Sequence, residues 1–142
     1  MSIRRAKQED TQAIGSLLAQ MEHPTAENLV AEKLALLIGH PDHELIVYEL
    51  DDHVVAFMSI HFVPQIAYAG DFAMVSYFAV DGQLRSRGLG REMEERCVQL
   101  AKERGCNRIE LHSSIRRTDA HRFYLRQGYV EFPKYFSKKL VY

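Results

Sequence analysis

Residues Ala73 to Val80 read AMVSYFAV, nearly all apolar or aromatic. Such a run suits a central strand covered on both faces. It leads straight into Asp81-Gly82-Gln83-Leu84-Arg85-Ser86-Arg87-Gly88-Leu89-Gly90. A helical pattern follows, with Leu89, Met93, Cys97, Leu100 and Ala101 on one side and Glu92, Glu95, Arg96 and Lys102 on the other, stopped by Gly105. A buried strand, a glycine-bearing loop and an amphipathic helix in succession point to a layered α/β arrangement.

The flanking segments extend this pattern. Ser2 to Ala6 reads as a short first strand. Glu9 and Asp10 put negative charge where a helix would begin, and Ile14, Leu17, Leu18 and Met21 follow at helical spacing. Pro24 suits the first turn of a second helix through Leu29, Leu34 and Leu37, closed near Ile38 by Gly39 and Pro41. Glu44 to Leu50 and Val54 to Val63 are strand-like, with Asp51-Asp52-His53 as the hairpin turn. Arg108 to Ser113 reads as a short strand. Thr118 or Asp119 can cap a helix to about Gln127, stopped by Gly128, and Tyr129 to Tyr142 holds the last strand or strands. The order β-α-α-β-β-β-α-β-α-β gives a mixed α/β sheet with helices on both faces, not a repeated parallel βαβ unit.

The 142 residues fit one domain, 1–142, large enough to bury a core. A net charge of -1 gives no electrostatic reason to expect nucleic acid. No run approaches the ~18 apolar residues of a membrane span, and the N-terminus has no signal-peptide-like stretch. Cys97 and Cys106 match no zinc or redox spacing and read as buried or half-buried free thiols. These features together lead us to expect a cytoplasmic protein without nucleic-acid or membrane partners. The seven histidines show no convincing metal-ligand spacing, so no metal is expected.

The chemistry concentrates in the loop. A helix N-terminus presents unpaired N–H groups to an anion, and the helix dipole favours negative charge there. Gly88 and Gly90 remove side chains where backbone must approach a pyrophosphate, and Arg85, Arg87 and Arg91 add positive charge. No Gly-Lys-Ser/Thr follows, which excludes a nucleotide P-loop, and the dinucleotide fingerprint needs another glycine. Taken alone, the loop is equally a tight turn with solvated arginines.

Three segments together resemble the GNAT superfamily of N-acetyltransferases. Arg85-Ser86-Arg87-Gly88-Leu89-Gly90 is similar to its Arg/Gln-x-x-Gly-x-Gly/Ala motif; Val80 matches the valine of a preceding Val-x-Pro, with Gly82 in the proline's place. Ile3-Arg4-Arg5-Ala6 with Asp10 resembles its first strand and turn. Ala120-His121-Arg122-Phe123-Tyr124-Leu125-Arg126-Gln127-Gly128-Tyr129 resembles its Ala-x-x-Phe-Tyr-x-x-x-Gly-Phe/Tyr segment, and Asp119 to Tyr129 is locally most similar to aminoalkylphosphonate N-acetyltransferases.

The resemblance implies a mostly antiparallel sheet and acetyl-CoA as cosubstrate. It puts the pyrophosphate on Arg85, Ser86, Arg87, Gly88, Leu89 and Gly90, with Arg91 nearby. The pantetheine arm would pair with the fourth strand near Phe78, Ala79 and Val80, sometimes beside a bulge. Tyr124 would protonate the departing thiolate; a tyrosine pKa of roughly 10 against roughly 8.5 for a thiol makes that feasible. Its structural alternative is aromatic packing beside Phe123. Many family members use a glutamate on the fourth strand as base, and Met74 to Val80 has no carboxylate. His61 or His112 is the substitute base or water relay, with Asp71 a further candidate and Ser76 or Ser114 as holders of a relay water.

The implied activity is acetyl transfer from acetyl-CoA to the primary amine of a small polar molecule, an aminoalkylphosphonate among the candidates, by direct attack. A protein or peptide amine is the enzymatic alternative. A non-catalytic acyl-CoA-sensing domain is the alternative from another class. Exposed terminal strands could pair between subunits, which would give a homodimer.

Overall fold

The computed structural model describes every residue except Met1, Pro133 and Tyr142. The chain forms two compact units, Met1–His112 and Ser113–Tyr142. The first contains β1 (Ser2–Arg5), α1 (Thr11–Gln20), α2 (Glu27–Leu37), β2 (His43–Leu50), β3 (His53–Val63), β4 (Phe72–Val80), α3 (Leu89–Glu103) and β5 (Arg108–Leu111). The second contains α4 (Thr118–Arg126).

The five strands form one sheet in the order β1-β2-β3-β4-β5. The first three pairings are antiparallel and β4–β5 is parallel. This is the mixed, mostly antiparallel sheet expected. Side-chain alternation splits the core in two. Leu45, Val47 and Phe57 pack with Ile14 and Leu17 of α1 and Val30 and Leu34 of α2. Ile46, Tyr48, Met58 and Ile60 pack with Leu89, Met93, Cys97 and Leu100 of α3 on the other face. Each such large apolar side chain contributes roughly 1.5–3 kcal/mol on burial. The helical spacing of α3 is what lines its four residues along one stripe.

Turns fall where local chemistry allows them. Asp51 and Asp52 both have positive φ, 51° and 64°, as a two-residue type I′ hairpin requires. Gly39 and Gly105 lie just past α2 and α3 with φ of 82° and 76°. Four expectations are corrected. The strand expected to be covered on both faces has Ser76 and Tyr77 exposed. Pro24 precedes the second helix, which begins at Glu27. Arg117, not Thr118 or Asp119, is the N-cap of α4. The last strand or strands expected in Tyr129 to Tyr142 do not form among the described residues there. Lys134 has a φ of 134°, outside strand geometry, and a proline at 133 brings no N–H for a ladder; Pro133 and Tyr142 lie outside the described residues.

Asp10 anchors the entry to α1. Arg4 donates to both of its carboxylate oxygens at 2.8 and 3.0 Å, and the Lys7 N–H donates at 2.8 Å. Burial by itself would raise the carboxyl pKa; Arg4 and the Lys7 N–H outweigh it and hold the group below its usual value. Asp10→Asn should therefore cost roughly 2 kcal/mol near neutral pH. The depressed pKa makes this contribution complete above the unfolded value of ~3.9 and lost as pH falls further. Urea denaturation should show a gap between wild type and variant that holds down to about pH 5 and closes below about pH 4. A gap unchanged in acid contradicts the assignment.

Candidate active site

The site grows from one irregularity in β4. Ser59 pairs with Tyr77, but Ile60 pairs with Val75, so Ser76 is an extra residue in the ladder. Such a bulge reverses the alternation of the residues that follow. Ala73 and Val75 face α3; beyond the bulge Phe78 and Val80 take that side, and Ala79 joins the α1/α2 face. The β4–β5 ladder ends at the same place, at Val75 opposite Leu111, while β4 runs on through Val80. The stretch 76–80, including the expected pantetheine-pairing residues Phe78, Ala79 and Val80, lies beyond the end of that ladder.

At the end of β4 the chain is tightly held. The Asp81 N–H donates to Val55 O at 2.8 Å, and the Gly82 N–H to Gln20 Oε1 of α1 at 2.9 Å. Asp81 Oδ1 accepts the Gln83 N–H at 2.9 Å. Ser86 and Gly88 then adopt positive φ, 67° and 84°, and Gly88 is the N-cap of α3. A residue with a β-branched side chain is strained there; glycine is not. The first bond of α3 runs from the Glu92 N–H to Gly88 O, leaving the N–H groups of Leu89, Gly90 and Arg91 ahead of the helical ladder. The Tyr48 hydroxyl donates to Glu92 at 3.0 Å and ties this turn to β2. Arg85, Ser86, Arg87 and Gly88 are exposed, Leu89 is buried, and Arg91 forms an exposed ion pair with Glu95 at 3.8 Å. A 15-residue helix opening on exposed arginines and a left-handed glycine fits a pyrophosphate.

On the α1/α2 side of the bulge lies a line of polar side chains. His61 Nε2 is 3.1 Å from Ser76 Oγ, Ser76 Oγ is 3.0 Å from Ser59 Oγ, and Ser59 Oγ is 2.7 Å from His43 Nε2. The rings of His43 and His61, cross-strand partners, meet edge to face at 4.5 Å. Burial, with His40 nearby, lowers the His61 pKa. Burial, then His61 and His40, brings His43 down to about 4. Both rings are thus neutral near pH 7, and a neutral imidazole can accept a proton. Tyr77, next along β4, meets His23 of the α1–α2 connection edge to face at 5.8 Å.

The sequence candidates separate accordingly. His61 and Ser76 come together at the bulge. His112 is exposed just past β5, and Asp71 is engaged by Arg104 at 3.5 Å. Tyr124 is half-buried in α4, its ring between Phe123 at 5.4 Å and Tyr129 at 5.5 Å, so the aromatic packing considered for it is present. Ser114 O accepts from the Arg117 N–H and lies 2.8 Å from a His121 ring nitrogen. Cys97 is buried, which pushes its thiol up to about 12 and leaves it a poor nucleophile. Sequence reasoning gave no role to His43, Ser59 or Gln20. Period-two spacing aligns His43 with Leu45 and Val47, but its partners depend on strand register. Among the described residues no His, Cys, Asp and Glu cluster suits a metal ion, and no helix is long and apolar enough to cross a membrane.

Comparison with known proteins finds relatives along nearly the whole chain. The profile of the Acetyltransferase (GNAT) family matches residues 6–129. The chain belongs to this family. An aminoalkylphosphonate N-acetyltransferase of Salmonella typhimurium strain LT2 is 25% identical over 139 residues, 97% of this chain and 90% of that protein. Among solved structures, a transcriptional regulator from Bacillus halodurans C-125 superposes with a TM-score of 0.90 at 24% identity, covering 98% of this chain and 99% of that one. Glucosamine-6-phosphate N-acetyltransferase from Arabidopsis thaliana gives 0.85 at 20% identity, covering 99% and 98%. These structural matches establish the GNAT fold of this acetyltransferase.

Proposed function

We propose that this GNAT protein transfers the acetyl group of acetyl-CoA to the primary amine of a small polar molecule by direct attack within a ternary complex. The observation that carries the reading is the coincidence, at Ser76, of the bulge, the end of the β4–β5 ladder and a neutral histidine. The backbone of Phe78 to Val80 would pair with the pantetheine arm, and residues 85–91 would hold the pyrophosphate through N–H groups and arginines. The amine lone pair attacks the thioester carbonyl carbon, the carbon–sulfur bond breaks, and the thiolate leaves. His61, directly or through a water on Ser76, takes the proton lost by the amine. Tyr124 supplies the proton gained by the thiolate. The relative from Salmonella typhimurium, similar along 97% of the chain, supports an aminoalkylphosphonate as acceptor.

In this reading residues 1–142 act as one catalytic domain in the cytoplasm; the family match at 6–129 crosses the boundary between the two units. Thiol release should be measured with acetyl-CoA and a panel of aminoalkylphosphonates, polyamines and peptides. Amine-dependent release should fall roughly 100-fold in His61→Asn and Tyr124→Phe. The acid limb of the wild-type profile should lie below the ordinary histidine value of ~6.5, because the His61 pKa is lowered. Release with peptides alone would name a protein acceptor. Coenzyme A binding without turnover on any amine would contradict the enzyme and favour the sensing domain.

We also propose a homodimer. Val130, Phe136, Leu140 and Val141 are 72%, 91%, 83% and 78% exposed, in a segment that forms no strand among its described residues. β5 ends the sheet with Ile109 and Leu111 half-buried, an edge that an extended apolar segment of a second copy can cover. Light scattering should give twice the 16.4 kDa chain mass. A monomer at micromolar concentration contradicts the dimer.

A further inference from the structure

His43 is the one histidine of the polar line that lies deep in the fold, 5% exposed, on the α1/α2 face of β2. Its Nε2 meets Ser59, and its Nδ1 is a buried nitrogen short of full hydrogen-bond geometry, with the Leu37 backbone the hydrogen-bonding neighbour that raises the ring's pKa against its burial. A nitrogen so placed costs free energy, so the neighbouring bond that fixes its protonation is the feature to explain.

The line has a direction. Each serine hydroxyl has a single proton and donates once. Ser76 is placed to donate to Ser59, to Oγ at 3.0 Å or the backbone oxygen at 3.4 Å. Ser76 must then accept from His61, which puts the His61 proton on Nε2 and leaves Nδ1 as its lone pair. With Ser76 donating to its Oγ, Ser59 turns its own proton to His43 Nε2, and the His43 proton is on Nδ1. Reversing every bond of the line reverses both rings. With His43 protonated at Nε2, Ser59 donates to Ser76 and Ser76 to His61 Nε2, so His61 carries its proton on Nδ1 and has no lone pair away from Ser76. A Ser76 proton held on the Ser59 backbone oxygen instead keeps the His61 proton on Nε2.

We propose that His43 is a positioning residue that fixes, through Ser59 and Ser76, the tautomer in which His61 can accept a proton at Nδ1. It touches no reacting atom. Its burial keeps it neutral, because a charged ring there would lack compensation. This inference rests on the reading of His61 as the base, and the test separates the two.

Long-range proton–nitrogen NMR of histidine-labelled protein near neutral pH reports which ring nitrogen carries the proton, with His43 and His61 assigned from single His→Asn variants. The expected result is His43 protonated at Nδ1 and His61 at Nε2. Ser76→Ala, which does not touch His43, should shift His43 toward the Nε2-protonated form, because Ser59 loses its incoming donor. His43 protonated at Nε2 in the wild type would overturn the proposal, as would a His43 signal indifferent to Ser76→Ala. The wild-type spectrum is decisive even where a variant folds poorly. Ser59→Ala should lower kcat about tenfold with KM unchanged. Tautomers that behave as described beside an unaltered kcat would remove His61 as base and leave the coupling standing.

Discussion

The extra residue in β4 governs the geometry of the site. Without it, Tyr77 and Ala79 would continue the α3-facing series of Ala73 and Val75, and the two cores would be filled by other side chains. With it, Phe78 and Val80 close the α3 core, Tyr77 reaches His23 on the opposite side, and Ser76 is brought to His61. The local twist that a bulge adds also suits the end of the parallel ladder with β5. One backbone irregularity thereby links the stretch 76–80, beyond the β5 ladder, to the polar line.

Electrostatics divides the first unit into two kinds of environment. The turn at 85–88 is exposed, cationic and preceded by backbone held in place by Val55 and Gln20. The polar line at β2–β4 runs from buried His43 and Ser59 through half-buried His61 to exposed Ser76, and carries no fixed charge. Arginines in water supply long-range attraction for an anion, screened beyond ~10 Å at 0.1 M salt. Neutral imidazoles under low local dielectric supply proton acceptors without the cost of a buried cation. An amine acetyltransferase needs both: a polyanionic donor to hold and a proton to remove.

Much of this was legible in the sequence, for physical reasons particular to each element. The stripe of Leu89, Met93, Cys97 and Leu100 marked α3, Asp51-Asp52 marked its hairpin, and AMVSYFAV marked a strand, although Ser76 and Tyr77 within it are exposed. The glycine-arginine loop was visible because its residue types follow from backbone and charge requirements. The resemblance implied that a bulge sometimes lies there, but its position was not legible, since an almost uniformly apolar strand has no alternation to break and Ser76 was its one mark. His43 was missed because its partners sit 16 residues away across a register that the sequence does not encode locally. The C-terminal segment misled because apolar and aromatic residues at 129–142 read as strand whether or not a ladder partner exists.

We propose that coenzyme A lies along β4 beyond its ladder with β5 and on the turn into α3. Amide hydrogen exchange with and without coenzyme A tests it most directly. Slowed exchange confined to residues 77–80 and 85–91, with little change in β1 and β2, is the predicted result. Unchanged exchange along both stretches at saturating ligand, or slowing concentrated elsewhere in the chain, would contradict it.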